Sequence, residues 1–86
     1  VGFTKSLALE VAQHGINVNA VAPGPVDVRD DSTLNVEIYE QITKAIPIGR
    51  IGLPMDIANL VVFLISDESN FITGQCIVSD GGYTLP

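Results

Sequence analysis

The stretch INVNAVAPGP at residues 16–25 decides the fold. Its first seven residues form a short run that is rich in β-branched side chains, a composition that favours a strand. Proline cannot donate to a strand ladder, so the prolines at positions 23 and 25 should end the strand. The stretch therefore predicts a strand over residues 16–22 that runs into a proline–glycine turn.

A helical pattern precedes this strand. Phe3, Leu7 and Val11 recur at a spacing of four, and Gly15 follows as the residue best able to take the left-handed conformation that ends a helix. This predicts a helix over residues 1–14. Apolar periodicity is already present at Val1 with no capping side chain before it, so we expect the chain to begin inside a helix.

Two more helices and a second strand are predicted after the turn. Asn35 should cap a helix that Pro47 ends, and Pro54 should open another that runs to about Ser66. Residues 57–65 are apolar nearly all round, which is typical of a helix packed on a sheet and covered by other protein. The last strand is predicted over residues 75–79, before an Asp-Gly-Gly turn.

The order helix, strand, helix, helix, strand predicts an α/β fold. Two strands joined through a buried helix imply a parallel pair with a right-handed crossover, as in part of a doubly wound parallel sheet. In such sheets ligands bind outside the carboxyl ends of the strands. Residues 23–28 and 80–82 are therefore predicted to lie at one crevice.

Composition argues against several classes of partner. The chain has 86 residues with four basic and ten acidic side chains, a net charge of −6, and its basic residues are scattered. Nucleic acid and anionic membranes are therefore not expected as partners. The longest apolar run, residues 60–65, is far shorter than the roughly 20 residues that span a bilayer. A single cysteine favours a reducing, cytoplasmic compartment.

Residues with catalytic or metal-binding chemistry are sparse. His14 is better explained as a surface residue at a helix C-terminus than as a general base, and Cys76 as a packing residue than as a nucleophile. Asp30 and Asp31 are adjacent carboxylates in a polar loop. No cluster of histidine, cysteine and carboxylate completes a metal site, so none is predicted.

The sequence resembles the short-chain dehydrogenase/reductases over nearly its whole length. A proline–glycine turn after a strand is a weak signal by itself, but several motifs stand in the family's order. The motifs are NAVAPGPV at 19–26, IPIGR at 46–50, GLPMDIA at 52–58, FLISD at 63–67, ITGQ at 72–75 and DGGY at 80–83. The resemblance implies a Rossmann-like fold and an NAD(P)-dependent oxidoreductase that interconverts an alcohol and a ketone by hydride transfer.

The resemblance also implies a cofactor site. In this family the turn after the sixth strand faces the nicotinamide, which assigns Pro23, Gly24, Val26 and Val28 to NAD or NADP. Glycine lacks a Cβ, so its backbone can approach a flat ring closely; the alternative is that the turn only ends the strand. Val28 stands where many relatives place a threonine, so the hydrogen bond of that hydroxyl to the cofactor is not expected here.

The segment after the turn resembles the family's substrate lid. Leu34, Ile38 and Ile42 would form its apolar lining toward a small-molecule carbonyl or alcohol substrate. The spacing alone favours the alternative that this face packs on the body of the protein. Acyl-thioester, sugar and steroid ketones stay open as substrates, with a 3-oxoacyl group mildly favoured. The last strand lies at a subunit contact in the family, so a homo-oligomer formed through residues 75–83 is expected.

The family's catalytic residues have no counterpart in this chain. No glycine-rich dinucleotide turn follows a strand, and neither Tyr39 nor Tyr83 is followed by a lysine at the fourth position. Residues 1–86 are therefore expected to be the C-terminal segment of a single Rossmann-like oxidoreductase domain, inactive alone because the dinucleotide-binding and catalytic part is absent. The alternative is an inactive truncated fragment with a structural role, which associates through exposed strand edges.

Overall fold

A computed structural model describes residues 1–27 and 35–85. The described residues form three α-helices and two strands in the predicted order. Their bounds are α1 Gly2–Val11, β1 Ala20–Pro23, α2 Val36–Ala45, α3 Pro54–Leu64 and β2 Cys76–Ser79. A 3₁₀ turn follows α1 at Ala12–His14, and another follows α3 at Asp67–Ser69.

The two strands pair in parallel, as the sequence predicts. Ala20 lies opposite Cys76 at one end of the pair, and Pro23 lies opposite Ser79 at the other. Because both strands run in the same direction, the turns that follow them lie at the same edge of the sheet. The α/β class is confirmed. Of the crevice predicted at residues 23–28 and 80–82, residues 23–27 and 80–82 lie at this edge, and residue 28 lies outside the described residues.

Strand β1 begins later than predicted. The expected start at residue 16 is wrong, since the ladder begins at Ala20. Just before it, the amide of Asn19 takes the place of regular ladder bonds: Nδ2 donates to the Ile72 carbonyl at 3.0 Å, and Oδ1 accepts from the Gln75 N–H at 3.1 Å. A side chain that bonds the opposite backbone in this way competes with the regular β-ladder.

The helix ends follow the sequence closely. Gly15 takes the left-handed conformation, with φ of 74°, directly after the first helical segment. Asn35 caps α2, because its Oδ1 accepts from the Ile38 N–H at 3.1 Å. Helix α3 ends at Leu64, two residues before the predicted end at Ser66. The differences concern only the last turns, where helices commonly change to 3₁₀ geometry.

The chain buries few of its apolar side chains. Among the described residues the buried hydrophobic side chains are Ala8, Ile46 and Ile51. The accessible surface is 6370 Å², about 1,500 Å² more than is expected for a compact chain of this mass. The radius of gyration is 15.9 Å, where a compact domain of this length would have about 12 Å. Much of the apolar surface of α1 and α3 is therefore open to other protein.

The bonds of Asn19 should contribute measurably to stability. Asn19→Ala leaves the Ile72 carbonyl and the Gln75 N–H without their partner, so we expect a loss of about 1–3 kcal/mol in the free energy of unfolding. Urea titration followed by circular dichroism measures the loss. The control is Asn59→Ala on the exposed side of α3, which should change stability by less than about 0.5 kcal/mol. Equal effects of the two substitutions would contradict the bridging role.

Candidate functional site

A cleft of about 190 Å³ lies beside the carboxyl ends of the two strands. Its wall combines the turn after β1, the loop before α3, the first turn of α3 and the end of β2. The lining residues are Pro25, Val26, Ile48, Arg50, Gly52, Asp56, Ile57, Ser79, Asp80 and Gly81. Parallel α/β sheets bind their ligands at this position.

Gly24 starts the turn in direct contact with the end of β2. Its N–H donates to the Ser79 carbonyl at 3.0 Å, which extends the parallel ladder by one bond. A Cβ on Gly24 would overlap the Cβ of Asp80 and lie 2.8 Å from its Cα. A close contact within the chain therefore requires glycine here, a reason that sequence reasoning did not find.

Val26 forms an isolated parallel bridge with Gly52. The Gly52 N–H donates to the Pro25 carbonyl at 3.0 Å, and the Gly52 carbonyl accepts from the Asp27 N–H at 2.8 Å. In a parallel bridge of this kind Gly52 uses both of its backbone groups, whereas the N–H and C=O of Val26 point away from it. Within residues 1–27 and 35–85 the backbone of Val26 makes no hydrogen bond of its own.

An ion pair fixes the loop that carries Gly52. Arg50 donates to both carboxylate oxygens of Asp56, at 2.8 and 3.1 Å, in a bidentate arrangement. Oδ2 of Asp56 also accepts from the Leu53 N–H at 2.7 Å. The hydrogen bonds from Arg50 and then from Leu53 lower the pKa of Asp56 to about 2, and the same pair raises the pKa of Arg50.

The sequence showed only part of this arrangement. Asp56 lies in the first turn of α3, where a negative charge is favoured by the positive end of the helix dipole. Its pairing with Arg50 was missed, although the two residues are only six positions apart. The sequence did contain a signal for this pair, because the opposite charges of Arg50 and Asp56 flank a glycine and the proline that starts α3.

The carboxylate of Asp80 orders the turn at the end of the chain. It accepts from Thr84 Oγ1 at 2.7 Å and from the N–H groups of Thr84 and Gly82, both at 2.9 Å. These hydrogen bonds lower the pKa of Asp80, and the bond from the Thr84 hydroxyl has the largest effect. The Gly81 carbonyl accepts from the Ile48 N–H at 3.1 Å. The far side of the cleft is thus held by the Asp80 carboxylate and by one backbone bond between Ile48 and Gly81.

The residues assigned to the cofactor lie at or next to the cleft where they are described. Val26 lines it, while Pro23 and Gly24 precede the lining part of the same turn. Val28 lies outside the described residues. The described part of the turn thus reaches the edge of the cleft.

Of the residues assigned to the substrate, the two that the structure describes are not brought to the cleft. Ile38 is 54% exposed on α2, and Ile42 is half-buried on the same helix; neither contributes to the lining. Leu34 lies outside the described residues. His14 and Cys76 do not line the cleft either.

The described part of the chain contains neither a metal-binding cluster nor a membrane-spanning helix. In residues 1–27 and 35–85 no three histidine, cysteine, aspartate or glutamate side chains are grouped closely enough to hold a metal ion. Over the same residues, no helix has the length and apolar character needed to cross a membrane.

Comparison with known proteins gives the family of the chain. A family model described as enoyl-(acyl carrier protein) reductase matches residues 1–84. The chain belongs to the short-chain dehydrogenase/reductase family. The resemblance drawn from the sequence motifs is thereby confirmed.

Its relatives within the short-chain dehydrogenase/reductases are longer proteins. A 3-oxoacyl-[acyl-carrier-protein] reductase FabG of Rickettsia bellii is 54% identical over 85 residues, which are 99% of this chain and 35% of that protein. The FabG of Staphylococcus aureus is 49% identical over 82 residues, or 95% of this chain and 33% of the relative. The chain thus spans about a third of the length of these relatives.

A solved structure confirms the fold. The crystal structure of 3-oxoacyl-[acyl-carrier protein] reductase from Brucella melitensis is 38% identical in sequence and superposes with a TM-score of 0.89. The match covers 96% of this chain and 31% of the Brucella chain. The Rossmann-like architecture expected for a short-chain dehydrogenase/reductase is therefore shown.

The contact between Gly24 and Asp80 can be tested by adding one methyl group. Gly24→Ala forces the turn away from the end of β2, so we expect it to destabilise the fold by about 1–3 kcal/mol. Gly2→Ala is the matched control, because no atom lies within 4 Å of a Cβ at that position in α1. The control should be neutral or should stabilise by up to about 1 kcal/mol. Unfolding in urea that is unchanged for both variants would contradict the contact.

The Arg50–Asp56 pair should give stability a pH dependence of known sign. The pKa of Asp56 falls from 3.8 to about 2 on folding, so the pair stabilises the fold above pH 4 and loses that effect as the pH falls toward 2. The stability difference between the parent chain and Asp56→Asn should therefore be largest near neutral pH and shrink toward pH 2. Urea unfolding at several pH values measures it, and a constant difference would contradict the ion pair.

Proposed function

We propose that this chain is the C-terminal segment of an NAD(P)-dependent oxidoreductase that reduces a 3-oxoacyl thioester to the 3-hydroxy form. One observation carries the proposal: the cleft at the carboxyl edge of the sheet is bounded by a turn in which the backbone of Val26 makes no hydrogen bond to any other described residue. The printed activity of the relatives, 3-oxoacyl-[acyl-carrier-protein] reductase, supplies the substrate class.

The groups of the turn fit a nicotinamide. Its carboxamide offers one acceptor oxygen and an NH₂ donor, which complement the N–H and C=O of Val26. When bound, the cofactor supplies a hydride to the carbonyl carbon of the substrate. In this proposal Pro23 and Gly24 support the turn, and Val26 orients the carboxamide. Val28 stays assigned to the same site from the resemblance, with no side-chain hydrogen bond to the cofactor.

The lid and the subunit contact are proposed for the surfaces that the fold leaves open. Leu34, Ile38 and Ile42 stay assigned to the acyl side of the substrate from the resemblance, and Ile38, which is 54% exposed outside the cleft lining, is available for such a contact. Val78, 52% exposed on β2, would take part in a homo-oligomer formed through residues 75–83. Their apolar character suits contacts that exclude water.

The remaining surface supports a larger parent domain. Apolar side chains of α1 and α3 are exposed to solvent, among them Phe3 at 79%, Leu9 at 82% and Val62 at 61%. The relatives contain about twice as many further residues as this chain, enough to supply covering strands and helices. We assign the catalytic acid and the dinucleotide-binding turn to that further part, so this chain by itself should be inactive.

A segment exchange tests the proposal. The 85-residue segment of the Rickettsia bellii reductase that matches this chain is replaced by this chain, and reduction of a 3-oxoacyl thioester is followed with NADPH and with NADH. We expect activity within about tenfold of the parent reductase, a difference of about 1.4 kcal/mol in the barrier. The 86-residue chain alone and the reductase lacking the segment should be inactive.

Two outcomes would overturn the proposal. One is a chimera that folds, as judged by circular dichroism and gel filtration, but reduces no 3-oxoacyl thioester with either cofactor. That result would favour the alternative of an inactive structural or interaction fragment. The other is turnover by the chain alone, which would contradict the assignment of the catalytic groups to a further part.

A further inference from the structure

The turn after β1 is held by the loop before α3 through one residue. Gly52 donates its N–H to the Pro25 carbonyl at 3.0 Å and accepts from the Asp27 N–H at 2.8 Å. These two bonds lie on either side of Val26. A Cβ on Gly52 would lie only 3.2 Å from the Pro25 oxygen, so the two backbones meet without an intervening side chain. The position of the Val26 backbone therefore depends on the position of Gly52.

Gly52 is in turn fixed from both of its chain neighbours. The guanidinium of Arg50 donates to the Ile51 carbonyl at 3.2 Å, and the carboxylate of Asp56 accepts from the Leu53 N–H at 2.7 Å. The same guanidinium and carboxylate pair with each other. One ion pair thus bonds to the backbone on both sides of Gly52. An exposed ion pair adds only modestly to overall stability, so beyond the pH dependence expected above its main effect should be on local geometry.

We infer that Arg50 and Asp56 are positioning residues for the nicotinamide, acting through Gly52 on the backbone of Val26. The inference rests on the proposed function, since it assigns the cofactor to Val26. In this inference Arg50 and Asp56 act through their bonds to the loop backbone. When the pair is broken, the loop relaxes, the two bonds of Gly52 weaken, and the N–H and C=O of Val26 lose their fixed direction.

The mechanical part is tested by amide hydrogen exchange on the full 86-residue chain. Asp56→Asn removes the charge that Arg50 binds, and we expect exchange at the N–H groups of Gly52 and Asp27 to become about tenfold faster or more. Exchange at Ala20, whose N–H donates to the Gln75 carbonyl in the strand pair, should not change.

Matched variants complete this test. Asp67→Asn makes the same chemical change at an exposed site outside the cleft lining and should leave exchange at Gly52 unchanged. Arg50→Lys keeps the positive charge but cannot make the bidentate contact with Asp56. Amide exchange at Gly52 should therefore be faster than in the parent chain but slower than in Asp56→Asn. Unchanged exchange in Asp56→Asn overturns the inference. So does equal acceleration at Ala20, which would mean a general loss of stability.

The functional part is tested in the chimera with the Rickettsia bellii reductase. Asp56→Asn should raise the KM for NADPH about tenfold, with kcat and the KM for the 3-oxoacyl thioester within about twofold of the parent chimera. A KM for NADPH that stays unchanged, while exchange at Gly52 is faster, overturns the inference and leaves the proposed function intact. An inactive parent chimera overturns the proposed function, and the exchange data then report the coupling separately.

Discussion

Parallel pairing of β1 with β2 is the constraint on which the rest of the structure depends. Two strands that run in the same direction bring their carboxyl ends to one edge, so the turn at Gly24 meets the turn at Asp80. The contact is close enough to exclude a side chain on Gly24. An antiparallel pair would place these turns at opposite ends of the sheet, and the cleft would lose two of its walls.

The cleft is built from backbone contacts that charged side chains hold in place. Gly52 carries the two bonds to the turn, and the Arg50–Asp56 pair bonds to the residues on either side of it. At the opposite wall the carboxylate of Asp80 takes three hydrogen bonds from the final turn. Both carboxylates have a lowered pKa, so both remain charged at neutral pH and keep these loops in shape.

The exposed apolar surface is the other defining feature of the chain. Burial of apolar area is the main favourable contribution to folding, and here few side chains are fully buried while α1 and α3 present large hydrophobic residues to solvent. Large apolar side chains exposed on two helices indicate a region that contacts other protein. This fits a chain that spans about a third of its relatives in the short-chain dehydrogenase/reductase family.

The amino-acid sequence by itself determined the element order, the parallel class, the cap at Asn35 and the helix end at Gly15, because each depends on local backbone preferences and apolar periodicity. Its motifs also determined the family. Only the tertiary structure decided where β1 begins, why position 24 must be glycine, and which residues form the cleft. These depend on contacts between residues far apart in the chain, such as Asn19 with Gln75 and Gly24 with Asp80. Local sequence patterns do not tell which distant residues come into contact, so only the packed structure could reveal these contacts.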